Sequence, residues 1–157
     1  MKKNEKIISL DGPFGFPVVS SSFKRELIID RNPTMILGII GSRKRSSKAD
    51  KLKIKDVILK LRPGSIVTGD AKRGADKYAR FYAERFGVKL IVHKAKINNG
   101  MKYPEMVKEY YRRNNLVAQS ATHIYALVSK DRKGGTENTI KYFKKYNKDW
   151  KKKIILD

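Results

Sequence analysis

One pattern constrains the fold of this chain more than any other. Short apolar runs break into glycine and polar residues, and each break is followed by a helical repeat. Met35 to Ile40 ends in Gly41-Ser42-Arg43, after which Ile54, Val57, Ile58 and Leu61 recur at i, i+3, i+4 and i+7, one face of a helix. Arg62-Pro63-Gly64 stops that helix. Ser65 to Thr68 then breaks at Gly69-Asp70-Ala71-Lys72-Arg73-Gly74-Ala75-Asp76, and Ala75, Tyr78, Ala79, Tyr82, Ala83 and Phe86 keep helical spacing until Gly87 caps the run. Val88 to His93 reads as a third strand and residues 104–118, with Pro104 at the first helical position, as a third helix carrying Arg113-Asn114. His123 to Ser129 leads through Gly134-Gly135-Thr136 into a fourth helix from Glu137 to Tyr146, and Lys153 to Leu156 forms a short fifth strand.

Strands alternating with helices require crossover connections, and right-handed crossovers build a parallel sheet. The expected fold is α/β: a Rossmann-like three-layer sandwich with a mainly parallel sheet of about five strands and helices on both faces. In such a sheet the glycine breaks gather along one edge, so distant residues line a single crevice shaped for phosphate or ribose. Residues 1–34 do not share this rhythm. Lys6 to Leu10 and Glu26 to Asp30 read as strands, with Gly12, Pro13, Gly15 and Pro17 between them, so this part is an N-terminal extension or hairpin and residues 35–157 form the Rossmann-like domain.

At 157 residues the chain suits one domain with a substantial core. Its 37 Lys plus Arg against 15 Asp plus Glu leave a formal charge of +22, which favours polyanionic partners such as nucleic acid or nucleotides. No cysteine is present, so disulfides and thiolate metal sites are excluded and a cytoplasmic setting is the default. The longest apolar runs fall well short of the ~20 residues of a membrane helix, so no membrane partner is expected. His93 and His123 stand without companions at ligand spacing, and neither a metal nor a cofactor is expected.

Gly41-Ser42-Arg43 offers backbone N–H groups, a hydroxyl and a guanidinium at the positive end of a helix, an anion cradle. The Gly69 to Asp76 break repeats the arrangement. Asp70 sits near the strand end, where it can touch a ligand. Asp76 either stabilises its helix N-terminus, holds a ribose hydroxyl or positions Arg73. Thr136 is placed to cap the fourth helix while Gly134 and Gly135 face a phosphate. Glu137 falls in the first helical turn, where negative charge is favourable, and with Asp76 it is a candidate acid or base. Tyr103, Tyr110 and Tyr111 beside Arg112 and Arg113 mix aromatic faces with cations, as single-stranded nucleic acid binding does, although helical spacing sends some of these rings to the core.

Taken together over residues 35–146, these motifs resemble the SLOG superfamily of Rossmann-like domains, which includes the DNA-processing protein A family, the Lonely Guy phosphoribohydrolases and small nucleotide-sensor domains. The resemblance implies a nucleotide-type ligand held by Gly41, Ser42, Arg43, Gly69, Gly74, Asp76, Arg113, Gly135 and Thr136. Related domains often pair, which adds a homodimer to the expected partners. The phosphoribohydrolases carry a catalytic Glu three residues after the Thr of their Gly-Thr motif; here that place is Thr139. Binding is thus favoured over hydrolysis, and the expectation is a sensor or sequestering domain for a nucleotide-derived molecule. A single-stranded DNA-binding protein of the DNA-processing type and a nucleoside-monophosphate N-glycosidase are the alternatives.

Overall fold

The computed structural model describes residues 7–9, 26–28 and 30–157, with side chains from Ile28 and Asp30 onward. Two short strands near the N-terminus, β1 (Ile7–Ser9) and β2 (Glu26–Ile28), pair antiparallel with Ile7 opposite Ile28. The glycine- and proline-rich stretch expected between them lies outside the described residues. Ile28 is buried in the main core, which ties this hairpin to the body of the protein.

The remaining elements alternate without exception: β3 (Asn32–Gly41), α1 (Lys48–Leu61), β4 (Pro63–Thr68), α2 (Ala75–Phe86), β5 (Lys89–Val92), α3 (Tyr103–Ser120), β6 (His123–Leu127), α4 (Gly135–Tyr146) and β7 (Ile154–Leu156). Their strands form one five-stranded parallel sheet in the order β5-β4-β3-β6-β7. The fold is therefore the expected Rossmann-like α/β sandwich. β3 begins at Asn32, three residues before the apolar run, because the Asn32 N–H reaches the Arg62 carbonyl and an irregularity before Ile36 absorbs Pro33.

Side chains alternate across the sheet as strand geometry demands. Leu37, Ile39, Ile66, Tyr125 and Leu127 point to one face, where they meet Ile54 and Ile58 of α1 and Ala79, Ala83 and Phe86 of α2. Ile40, Val67, Ile124 and Ala126 point to the other, against Val117 and Ala118 of α3 and Ile140 and Phe143 of α4. The strands are apolar on both sides because both sides are covered. Phe86, Phe143 and Ile58 have no accessible surface, and burying each contributes about 1.5–3 kcal/mol.

Helix α1 ends in a left-handed Arg62 and α2 in a left-handed Gly87. The chain runs outward from β3 through β4 to β5, then crosses back beneath α3 to β6 on the other side of β3. That reversal opens a crevice beyond the carboxyl ends of β3 and β6. Among the described residues no helix is long and apolar enough to cross a membrane.

Candidate functional site

A cavity of about 400 Å³ occupies that crevice. It is lined by Gly41, Ser42 and Arg43 after β3, by Gly69, Arg73 and Asp76 after β4, by Arg113 and Asn114 of α3, and by Gly134, Gly135 and Thr136 after β6. Four breaks spread over about a hundred residues of sequence thus meet at one place. Asp70, Gly74 and Glu137 are not among its lining residues, and Glu137 lines a separate groove.

Two of the helices that open here have bare N-termini. The N-cap of α2 is Gly74 at φ 77°, that of α4 is Gly134 at φ 107°, and neither has a side-chain cap. At these positive φ angles a side chain would be strained, so glycine alone lets the chain turn sharply into the helix. The first-turn N–H groups have no intrahelical acceptor, and together with the helix dipole they favour an anion. Thr136, expected as the cap of α4, is instead the second residue of the helix and is buried. The turn begins two residues earlier because Gly134 reaches a conformation that a β-branched residue resists. Helix α1 is different: Ser47 accepts from the Asp50 N–H at 3.1 Å while Asp50 accepts from the Ser47 N–H at 3.3 Å, a closed capping box.

Arg113 is the most extensively hydrogen-bonded cation of the cavity. Its Nη1 donates to Asp70 Oδ1 at 2.5 Å, its Nε donates to Asn114 Oδ1 at 3.3 Å, and its guanidinium lies 5.5 Å from the Tyr110 ring centre. Asn114 donates in turn to the Asn138 side chain at 3.1 Å, which sets the orientation of its amide. Asp70 also accepts from the Ala95 N–H at 3.2 Å. It positions Arg113 rather than lining the cavity, because the chain turns it toward α3 and the loop after β5. Arg43 stands 5.9 Å from the same Tyr110 ring, so one aromatic side chain organises two guanidinium groups.

Asp76 is recessed in the floor of the cavity. Its Oδ2 accepts from the Ala71 N–H at 3.1 Å, and the Thr68 hydroxyl lies 3.0 Å from its Oδ1. Arg80 does not pair with it; its guanidinium is committed to the Gly69 and Ala71 carbonyl oxygens at 3.0 and 2.8 Å, which fixes the loop. Burial pushes the Asp76 carboxyl above the usual carboxylate range, and the Ala71 N–H, Arg113, Thr68 and Arg80 do not offset that effect. Gly69 makes the arrangement possible: a Cβ there would stand 2.6 Å from Asp76 Oδ2 and 2.9 Å from Arg113 Cδ.

Sequence reasoning missed Lys44 and Lys133 at the rim and Thr68 beneath Asp76. Each adjoins a glycine break, and that adjacency was the signal. Lys44 also pairs with Asp131 at 3.6 Å, linking the loop after β3 to the loop after β6. Tyr103, Tyr110 and Tyr111 line the cavity; Tyr103 is 74% exposed, so it forms wall and mouth rather than core. Glu137 is held by the Arg132 guanidinium at 2.5 and 2.9 Å and lines a shallow basic groove with Lys141, Lys144 and Lys145. Thr139 is buried against the cavity and donates to the Gly135 carbonyl at 3.0 Å. No family model matches this chain, and no curated protein or solved structure matches it either.

Proposed function

We propose that this cavity binds a nucleotide or nucleotide-derived molecule, as the resemblance to the SLOG superfamily implies, and that the protein acts as a sensor or sequestering domain. The observation that carries the reading is the convergence of two uncapped helix N-termini, α2 and α4, with Arg43, Arg73, Arg113, Lys44 and Lys133 on one cavity. Its volume of about 400 Å³ lies within the ~300–1,000 Å³ range of small-molecule sites. Phosphate is the anion such donors suit best, because its three oxygens accept from several N–H groups and a planar guanidinium at once. The tyrosines on α3 supply flat apolar surface beside those cations, where a base stacks. Binding is favoured over hydrolysis because Thr139 carries no carboxylate and Glu137 is held outside the cavity by Arg132.

Titration calorimetry with mononucleotides, cyclic nucleotides and ADP-ribose derivatives, at low and high salt and with product analysis, tests the reading. Saturable binding that persists at high salt is expected. Arg113→Ala should weaken it about 10- to 100-fold, since a hydrogen bond to a charged group contributes ~1.5–3 kcal/mol. Absence of small-nucleotide binding defeats the proposal.

A second reading has its own support. Tyr103 is 74% exposed and Tyr111 46% exposed at the mouth, on a chain with a formal charge of +22. Single-stranded DNA would stack on such rings and neutralise such charge, and its affinity would fall steeply with salt. Salt-sensitive capture of oligonucleotides without capture of any mononucleotide would select this alternative.

A further inference from the structure

Among the described residues Asp76 is the only acidic side chain that lines the cavity, and it does so in the midst of Arg43, Arg73 and Arg113. A site built solely to hold phosphate has no use for a carboxylate in its floor, since the two anions repel at a few ångströms. Asp76 feels the charges of Arg113 and Arg80 but hydrogen-bonds neither guanidinium. Arg113 gives its Nη1 to Asp70 and its Nε to Asn114, and Arg80 gives its guanidinium to two carbonyl oxygens.

The hydrogen bonds of Asp76 leave it short of donors. A carboxylate has about four acceptor positions. The Ala71 N–H fills one. The Thr68 hydroxyl has a single hydrogen and two acceptors in reach, the Ile39 carbonyl oxygen at 2.8 Å and Asp76 Oδ1 at 3.0 Å, so it satisfies one of them at a time. Asp76 lines the cavity, so its remaining acceptor capacity adjoins that space. Gly69 adds a second observation: its missing side chain lets the Asp76 carboxyl and the Arg113 side chain both come close to its backbone, since a Cβ there would stand 2.6 Å from Asp76 Oδ2 and 2.9 Å from Arg113 Cδ.

We infer that Asp76 accepts a hydrogen bond from a sugar hydroxyl of the ligand, so that the cavity selects ribose-bearing nucleotides over their deoxy counterparts. This rests on the nucleotide reading above and sharpens it. A hydroxyl is the group that fits: it donates where a phosphate oxygen cannot, and it is neutral, so it adds no charge to the floor. Phosphate then occupies the bare helix ends and the cations, while the ribose lies across Asp76. A site built to accept from a hydroxyl discriminates strongly against a ligand that lacks it, because the buried acceptor is then left without a donor.

The test uses the intact protein and varies the ligand, so no folding defect can confuse it. Calorimetry compares ADP with 2′-deoxy-ADP and 3′-deoxy-ADP under identical salt. ADP is expected to bind at least about tenfold more tightly than one of the two deoxy analogues. In Asp76→Asn the preference should shrink to about threefold, because a charge-assisted hydrogen bond is roughly twice as strong as a neutral one. If both analogues bind as tightly as ADP, this inference fails while the nucleotide reading stands. Should ADP not bind, the same comparison is made with whichever ribonucleotide of the panel above does and its 2′- and 3′-deoxy forms; if no ribonucleotide binds, both fail.

Discussion

Two aspartates occupy the first turns of neighbouring helices and live under opposite rules. Asp50, the third residue of α1, accepts from the Arg45 guanidinium at 2.8 and 3.0 Å and closes a capping box with Ser47. Burial pushes its carboxyl upward, yet Arg45 and Ser47 together hold it below the usual range. Asp76, the second residue of α2, has no cation in hydrogen-bond contact, and burial leaves its carboxyl raised. Sequence position and helix dipole are nearly the same for the two. The difference lies in whether the surroundings complete the charge. Around Asp50 they do, and the residue is part of the scaffold. Around Asp76 they do not, and its carboxyl is left facing the cavity without a cation in hydrogen-bond contact.

The sharpest way to break this contrast is Asp50→Ala. It opens the capping box and takes the carboxylate partner from Arg45, whose side chain is 22% exposed and keeps only carbonyl oxygens as acceptors, so unfolding in urea should show a loss of about 2–4 kcal/mol. The pH dependence follows in sign. A depressed folded-state pKa stabilises above the unfolded value of about 3.9 and loses that contribution as pH falls through the folded pKa. The wild-type acid limb should therefore flatten in this variant. A steep acid limb that survives the substitution would assign it to other groups.

Gly69→Ala should come next in size. The added methyl meets Asp76 and Arg113 at distances that force both to move, an overpacking cost of about 1–3 kcal/mol, with nucleotide affinity falling alongside stability. Thermal melts with and without ADP separate the two effects. Unchanged affinity would mean that the close approach of Asp76 and Arg113 is incidental.

Asp76→Asn should be the mildest, and opposite in direction. An Asn here accepts from the Ala71 N–H and donates to Thr68, whose hydroxyl is then free to serve the Ile39 carbonyl. With the cost of burying a charge gone, stability at neutral pH should rise by up to about 1 kcal/mol. The sign is again fixed by the shift: a raised folded-state carboxyl contributes stability below the unfolded pKa and loses it as pH rises through the folded pKa. The gain should accordingly vanish in acid. Destabilisation at neutral pH would show Asp76 to be structural like Asp50.

Much of this was legible in the residues. The apolar runs and the helical spacing placed every strand and helix of the main sheet, because strands covered on both faces must be apolar throughout. The glycine breaks marked the cavity, because a chain that turns at strand ends needs backbone freedom there. Rotations of single side chains were not legible. Nothing local states that Asp70 turns to Arg113 while Asp76 turns to the cavity, or that Arg132 draws Glu137 away. Those outcomes depend on partners 43 residues off in one case and on a left-handed Arg132 in the other. Thr136 was misplaced as a cap for a related reason, since Ser, Thr, Asp and Asn are the usual caps and glycine wins only where φ is positive.

Arg45 also touches more than Asp50. Its Nη1 donates to the main-chain oxygens of Val128 and Asp157, both at 2.8 Å, while Lys53 and the Tyr125 hydroxyl hold the Asp157 carboxylate at 2.9 and 2.7 Å. The three-residue margin strand β7 is thereby riveted to the loop that carries Ser42 and Arg43. Fraying at that outer border of the sheet would travel through one guanidinium to the mouth of the crevice, so the shape of that mouth depends on how firmly the last strand stays seated.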